Sequence, residues 1–112
     1  FPTRRSSDLP AKSVAFILDT QITDTCYDLA QDVELLVSEA AFGPEKEELA
    51  ELRKHMTSTQ AAQVASESGA KQLILTHFSQ RYKSTKELEK EAKTIFSNTR
   101  CAYDLLKINL PF

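Results

Sequence analysis

Short apolar runs alternate with helical segments along this chain, and that alternation limits its fold more than any other feature of the sequence. The runs at residues 13–18, 34–37 and 72–76 are rich in β-branched, aromatic and leucine side chains, which is typical of buried strands. One or two closing strands are predicted at 101–103 and 105–110. The order β-α-β-α-α-β-α-β predicts an α/β layered architecture.

The helix boundaries follow from local signals in the sequence. Residues 57–60 and 84–87 each have the S/T-x-x-E/Q spacing of a capping box, which predicts that a helix begins at each. Gly69 is expected to end the first of these two helices. Asp24 is expected to cap a short helix near the start of the chain. A strongly charged helix is expected at 45–54, after a Gly-Pro break.

The predicted sheet is small, and its first strand has no predicted partner upstream, so we expect part of a larger domain. Residues 1–9, FPTRRSSDL, are basic and serine-rich, unlike the sequence that follows. They resemble the translation of a common sequencing adapter, and such segments are set aside before the fold is considered. We therefore expect native sequence from Pro10 onward, with residues 10–112 forming half of a domain.

The composition excludes several classes of protein. Of the 112 residues, 41% are hydrophobic and 27% charged, and the net charge is −2, so no overall positive field would attract nucleic acid. Cys26 and Cys101 lie far apart in the sequence and do not form a CxxC pair, which favours reduced, structural thiols in a cytoplasmic protein. No apolar run approaches the roughly 20 residues that a membrane helix needs.

Two residues with metal-binding side chains follow predicted strands. Asp19 ends the first strand and His77 ends the strand at 72–76. Ligands bind at the carboxyl ends of the strands in open α/β sheets, and parallel neighbours would bring these side chains to one edge. A carboxylate and an imidazole suit zinc or a similar divalent ion. The chain has only two histidines, so it cannot supply the roughly three protein ligands that each catalytic zinc ion needs.

Taken alone, the residues leave other interpretations open. Asp19 followed by threonine is also typical of a turn, and His55 before a capping box is also typical of a solvated loop. Glu39 could be an ordinary loop acid, and Arg81 an ordinary surface cation. For His77 the two interpretations are about equally favoured by the pattern.

Two segments resemble a known family. His55-Met-Thr-Ser-Thr-Gln-Ala-Ala, followed about twenty residues later by Leu-Ile-Leu-Thr-His77-Phe-Ser-Gln-Arg-Tyr82, is similar to ribonuclease Z, the tRNA 3′-processing endonuclease of the metallo-β-lactamase superfamily. The resemblance covers roughly residues 13–111. It implies that the chain is the C-terminal half of an αββα metallo-β-lactamase fold.

The resemblance also implies roles for individual residues. Asp19 corresponds to the aspartate that bridges two zinc ions, although Leu18 stands where the family usually has glycine. His77 corresponds to the last histidine ligand, on the second zinc. Ser79 and Arg81 correspond to the pair near the substrate phosphates.

The catalytic pair implied by the resemblance is His55 and Glu39. His55 corresponds to the histidine that contacts the scissile phosphate, and Glu39 to the glutamate that orients it. Glu39 and Phe42 match the His-Glu-Ala-Thr-type segment of the family, with Ser38 in place of its histidine and Ala41 in place of its threonine. A glutamate that accepts from one imidazole nitrogen fixes the tautomer, so that the other nitrogen can donate to a leaving oxygen.

The function implied is that of a zinc-dependent endoribonuclease that removes the 3′ trailer from precursor tRNA and leaves a 3′-hydroxyl on the tRNA. The family also implies that the full-length protein is a homodimer. The sequence contains no counterpart of the family's His-x-His-x-Asp-His run or of its tRNA-gripping arm, so we expect this chain to be inactive alone. Two alternatives are another hydrolase of the superfamily, of phosphodiesterase or arylsulfatase type, and a non-catalytic half that serves as a binding or dimerisation module.

Overall fold

The computed structural model describes residues 13–103 and residue 106. The predicted adapter-derived segment, residues 1–9, lies outside the described residues, and so does nearly all of the predicted strand at 105–110. The elements in chain order are β1 (Val14–Ile17), α1 (Asp24–Ala30), β2 (Leu35–Glu39), a 3-10 turn (Pro44–Lys46), α2 (Glu47–Leu52), α3 (Ser58–Ser68), β3 (Gln72–Thr76), α4 (Lys86–Lys93) and β4 (Thr99–Cys101).

The four described strands form one parallel sheet in the order β1-β2-β3-β4. This confirms the predicted α/β architecture and the predicted order of elements. Because each strand pairs with the next one along the chain, right-handed crossovers put every connecting helix on the same face of the sheet. Because the four described strands are parallel, their carboxyl ends all lie at one edge of the sheet.

The helices cover one face of the sheet. Ala15, Leu36 and Leu73 share a register position on that face, with Ile17 and Leu75 two residues further along. These side chains are buried with the apolar residues of α1, α3 and α4 in one core. On the opposite face, the edge-strand residues Val14 and Phe16 are 42% and 62% exposed. Apolar side chains thus emerge on both faces of β1, as in strands that are covered on both sides in a complete domain.

Strand β2 is longer than its apolar pattern predicts. The sequence predicts a strand at 34–37, whereas β2 runs from Leu35 to Glu39. Ser38 and Glu39 interrupt the apolar run, but both are fully or almost fully buried. The extension matters because it brings a carboxylate to the edge of the sheet inside a strand rather than in a loop.

Some of the predicted helix ends are confirmed and others are wrong. The capping box at Thr57 and the left-handed C-terminal residue Gly69 (φ 79°) of α3 are both confirmed. Helix α1 begins at Asp24, and Thr23 rather than Asp24 is its N-cap. The predicted capping box at 84–87 is wrong. Helix α4 begins at Lys86, with Thr85 as its N-cap and no side-chain cap hydrogen bond, and the Ser84 hydroxyl accepts from Lys86 N–H at 3.3 Å rather than from Glu87.

The remaining boundaries shift by a few residues. The predicted helix at 45–54 is divided into the 3-10 turn and α2. The predicted strand at 101–103 is observed as Thr99–Cys101. None of the described helices has the length and apolar character needed to cross a membrane.

Candidate active site

Strands β1, β2 and β3 end together at the carboxyl edge of the sheet. Ile17 and Leu75 both pair with Ser38, and Asp19 and His77 each follow two residues later, beyond the last residue of their strands. Asp19 and His77 both have left-handed backbones, with φ of 56° and 57°. Aspartate and histidine tolerate this region better than most residues, and such conformations concentrate at functional sites. The two predicted metal ligands therefore lie at equivalent strand ends.

The side chains of Asp19 and His77 are exposed and make no hydrogen bond to any residue that the structure describes. Because β2 runs between their strands, their backbones lie about 10 Å apart, two inter-strand spacings. A carboxylate and an imidazole that extend from these positions can approach a metal centre between them. Their donor types and their freedom from other partners fit zinc, which binds neutral imidazole and carboxylate oxygen.

Glu39 is buried, with 1% of its surface exposed. Its Oε2 accepts from the backbone N–H of Met56 at 2.8 Å and lies 2.8 Å from Nδ1 of His55, while Oε1 accepts from the N–H of Thr20 at 3.2 Å. The hydroxyl of Ser38 donates to the Glu39 carbonyl at 3.1 Å. A buried carboxylate needs hydrogen-bond donors, and the contacts with Thr20, His55 and Met56 fix the orientation of the Glu39 carboxylate.

His55 is held so that only one ring nitrogen is available. An ionised carboxylate can only accept, so the contact with Glu39 requires a proton on Nδ1 of His55. Nε2 is then the free nitrogen, and the side chain is 34% exposed. A hollow of about 230 Å³ adjoins it, lined by Gln21, Ile22, Glu47, Glu51, His55 and Gln60. The arrangement suits proton transfer at Nε2 to a group bound from solvent.

Asp19 lies close to this pair. The ligand atoms of Asp19, Glu39 and His55 are all within 4.8 Å of one another, so the three could hold a metal ion. Both oxygens of Glu39 already accept hydrogen bonds, which makes it better suited to orient His55 than to bind a metal. The structure thus brings Asp19 next to the predicted catalytic pair, whereas His77 is not a member of this cluster.

Ser79 and Arg81 reach the same edge from the loop after β3. The guanidinium carbon of Arg81 lies 5.3 Å from the ring centre of Phe42, and Arg81 Nε donates to Ser79 Oγ at 3.4 Å. The Phe42 ring meets the His55 ring edge to face, with centres 6.4 Å apart. Phe42 therefore contacts both the predicted phosphate-binding arginine and the predicted proton donor. The Arg81 side chain is exposed, and its positively charged guanidinium can donate hydrogen bonds to phosphate oxygens.

Tyr82 also contributes to this edge, although neither its sequence context nor the family resemblance predicts a role for it. Its hydroxyl accepts from the N–H of Gly43 at 2.7 Å and donates to Glu45 Oε2 at 2.6 Å. Burial raises the pKa of Tyr82, and the hydrogen bond to Glu45 raises it further. Nothing local in the sequence signals these contacts, because Gly43 and Tyr82 are 39 positions apart. The only hint is that Tyr82 ends the motif on which the family resemblance rests.

Comparison with known proteins shows which proteins this chain is similar to. The chain is 47% identical over 102 residues to ribonuclease Z of Bacillus subtilis, covering 89% of this chain and 33% of that protein. It is 48% identical over 96 residues to ribonuclease Z of Protochlamydia amoebophila, covering 86% of this chain and 31% of that one. No protein-family model matches the chain.

Two solved structures have the same fold. A metallo-beta-lactamase fold protein of Bacillus subtilis aligns with a TM-score of 0.74 at 31% identity, over 81% of this chain and 36% of that one. The short form of human tRNase Z aligns with a TM-score of 0.70 at 27% identity, over 90% of this chain and 34% of that one. The resemblance to ribonuclease Z and the metallo-β-lactamase fold are thereby confirmed. The chain spans about one third of the length of the curated relatives.

Proposed function

We propose that this chain is the part of a ribonuclease Z that carries the proton donor, and that the whole protein removes the 3′ trailer from precursor tRNA. One observation carries the proposal: buried Glu39 engages Nδ1 of His55 at 2.8 Å, with the carboxylate of Asp19 in the same cluster. An exposed imidazole nitrogen beside a metal-binding carboxylate suits cleavage of a phosphodiester.

The proposed proton transfer uses Nε2 of His55. Glu39 keeps a proton on Nδ1 and stabilises the positive charge of the doubly protonated ring. When the bond between phosphorus and the 3′ oxygen of the tRNA breaks, the proton on Nε2 passes to that oxygen and yields a 3′-hydroxyl. His55 is then neutral, with its remaining proton still on Nδ1.

The proposed metal ligands in this chain are Asp19 and His77, whose side chains have no other partner among the residues described. Zinc, when bound, would activate a water molecule as the nucleophile. Arg81 and Ser79 would bind the phosphate oxygens, with Arg81 seated on Phe42. Because two zinc ions need about six protein ligands between them, we propose that this chain alone does not cleave RNA. A cytoplasmic location and a homodimer are further parts of the proposal.

The test is a chimera in which this chain's aligned segment replaces that of Bacillus subtilis ribonuclease Z, their relation being 47% identity. We expect the chimera to cleave precursor tRNA at the 3′ end of the tRNA, to lose activity in EDTA and to regain it with zinc. His55→Ala should lower kcat about 10²-fold or more, and His55→Ala in the isolated chain should change nothing because that chain is inactive.

Three results would contradict the proposal. Cleavage of bis(p-nitrophenyl) phosphate or an aryl sulfate with no cleavage of precursor tRNA would favour another hydrolase of the superfamily. Folding of the chimera with no activity on any of these substrates would favour a non-catalytic module. Cleavage of precursor tRNA by the isolated chain would show that the ligand set is complete without the rest of the protein.

A further inference from the structure

We propose that Tyr82 is a positioning residue: it fastens the loop that carries Arg81 to the end of β2, and so fixes Arg81 relative to His55. The Arg81 loop is defined as residues 77–82, and the β2 end loop as residues 40–45. The proposal rests on the proposed function, because it assigns Arg81 a phosphate group of the RNA as its ligand.

The Tyr82 hydroxyl joins the two loops through two short hydrogen bonds. It accepts from Gly43 N–H at 2.7 Å and donates to Glu45 Oε2 at 2.6 Å. A phenol is protonated throughout the neutral range, and burial raises the pKa of Tyr82 further, so the hydroxyl has a proton to donate. The aromatic ring packs against a small apolar cluster that contains Ala41 and Phe42. Tyr82 is thus held both by its ring and by its hydroxyl.

A second connection lies at the other side of Arg81. The backbone N–H of Ser79 donates to the Ala41 carbonyl at 2.9 Å, and the N–H of Tyr82 donates to the Ser79 carbonyl at 3.2 Å. Arg81 therefore lies on a tight turn that is attached to the β2 end loop both before and after it. Among the described residues, the side-chain groups that form these hydrogen bonds are the hydroxyl of Tyr82 and the carboxylate of Glu45.

The position of Arg81 then affects His55 through Phe42. The guanidinium carbon of Arg81 lies 5.3 Å from the centre of the Phe42 ring, and the centre of that ring lies 6.4 Å from the centre of the His55 ring. The Phe42 carbonyl accepts from Ser58 N–H at 2.9 Å, which fixes Phe42 to the start of α3. An exposed arginine normally loses considerable side-chain entropy when it binds a ligand. A turn that already holds Arg81 near the phosphate position reduces that loss.

The test is a double-mutant cycle in the chimera. Tyr82→Phe keeps the ring and removes the hydroxyl, and we expect KM for precursor tRNA to rise about tenfold with a smaller change in kcat. In an Arg81→Ala background, Tyr82→Phe should add less than about a twofold effect, because the two residues act as one unit. Tyr27→Phe is the matched control, since Tyr27 is also half-buried and its hydroxyl makes no hydrogen bond to a described residue.

Glu45 offers a conservative variant. Glu45→Gln retains an acceptor for the Tyr82 hydroxyl and should preserve KM better than Glu45→Ala. If Tyr82→Phe leaves KM unchanged, or impairs the Arg81→Ala protein as strongly as the parent, the positioning role is overturned. An equal loss in both backgrounds, together with a lower melting temperature, would show that Tyr82 only stabilises the fold.

Binding of precursor tRNA in EDTA, followed by fluorescence anisotropy, separates this proposal from the proposed reaction. If the Kd rises in Tyr82→Phe and the rise disappears in the Arg81→Ala background, the positioning role is supported even in a chimera that cleaves nothing. If the chimera cleaves precursor tRNA but its Kd and KM are insensitive to Tyr82, the reaction stands and the positioning role fails.

Discussion

Two pairs of side chains at the same edge of the sheet are held in opposite ways. Glu39 and His55 contact each other at 2.8 Å, and Glu39 also accepts from two backbone N–H groups. Asp19 and His77 are exposed, with left-handed backbones and no hydrogen-bonding partner among the described residues. Glu39 and His55 have their hydrogen-bonding partners within the described residues, whereas the side chains of Asp19 and His77 have none there.

The difference shows which pair depends on a group from outside the chain. Burial of Glu39 would be unfavourable without its donors, so its contacts belong to folding as much as to chemistry. A left-handed aspartate or histidine costs about 1 kcal/mol relative to an ordinary conformation. No described side-chain contact offsets that cost at Asp19 or His77. A bound metal ion would offset it. We therefore expect substitutions at both pairs to lower activity, but to change the stability of the metal-free protein in opposite directions.

The largest expected effect comes from replacing the exposed pair by glycine, which adopts positive φ freely. In the chimera, Asp19→Gly or His77→Gly should lower cleavage of precursor tRNA by about 10³-fold or more, because a proposed metal ligand is lost. In EDTA, the same variants should be as stable as the parent or more stable by about 0.5–1 kcal/mol. Steady-state kinetics and urea unfolding measure the two quantities.

A matched control for this prediction is Asp32→Gly. Asp32 is exposed and has φ 55°, close to the values for Asp19 and His77, but it lies in the turn after α1. It should gain similar stability with no loss of activity. A loss of stability in EDTA at Asp19 or His77 would mean that these residues stabilise the metal-free fold, and the contrast between the pairs would then fail.

At the buried pair, a substitution should change stability in the opposite direction. Glu39→Ala leaves Met56 N–H and Nδ1 of His55 without their acceptor, so we expect a loss of about 3 kcal/mol in the free energy of unfolding, with or without metal. Cleavage should fall about 10²-fold, because His55 is no longer oriented. Urea unfolding in EDTA and in zinc checks the first value, and kcat checks the second.

Glu51→Ala is the control for the buried pair. Glu51 lines the same hollow as His55 but is exposed, so its removal should change stability by less than about 0.5 kcal/mol. If Glu39→Ala unfolds at the same urea concentration as the parent, the hydrogen bonds around Glu39 contribute nothing net to folding. Glu39 would then have to be regarded as a functional group alone.

The sequence predicts most of the fold because the fold depends on local patterns. Apolar runs of four to six residues mark β1, β2 and β3, and the capping box at Thr57 together with Gly69 marks both ends of α3. The capping box at 84–87 fails because spacing does not determine the backbone angles on which a cap depends. Local patterns therefore predict which elements exist better than where they end.

The candidate site is less predictable because its contacts join distant segments. From the sequence alone, Glu39 is expected to be a loop acid. Its burial is favourable because Thr20, His55 and Met56 donate hydrogen bonds to its carboxylate. The stacking of Arg81 on Phe42 joins the ends of two strands and has no periodic signal. The family resemblance supplied the roles of these residues, whereas the residues alone left each one open.

The smallest expected effect concerns a third kind of group at this edge. This group is buried, as Glu39 is, but it has no hydrogen-bonding partner among the described residues, as is also true of Asp19. The Oγ of Ser58 is fully buried and makes no hydrogen bond to the residues described, although its backbone N–H donates to the Phe42 carbonyl. Ser58→Ala removes the unpaired hydroxyl and keeps the backbone bond, so we expect the free energy of unfolding to rise by up to about 1 kcal/mol.

Thr57→Ala is the comparison for Ser58→Ala, because the adjacent Thr57 hydroxyl caps α3 by accepting from Gln60 N–H at 3.1 Å. Its removal should lower the free energy of unfolding by about 1 kcal/mol. Urea unfolding of both variants of the chimera in EDTA gives the two values with opposite signs. If Ser58→Ala is as destabilising as Thr57→Ala, the Ser58 hydroxyl has a partner outside the residues that the structure describes. Burial of a polar group at this edge would then always be accompanied by a hydrogen bond, and an unpaired group would always be an exposed one.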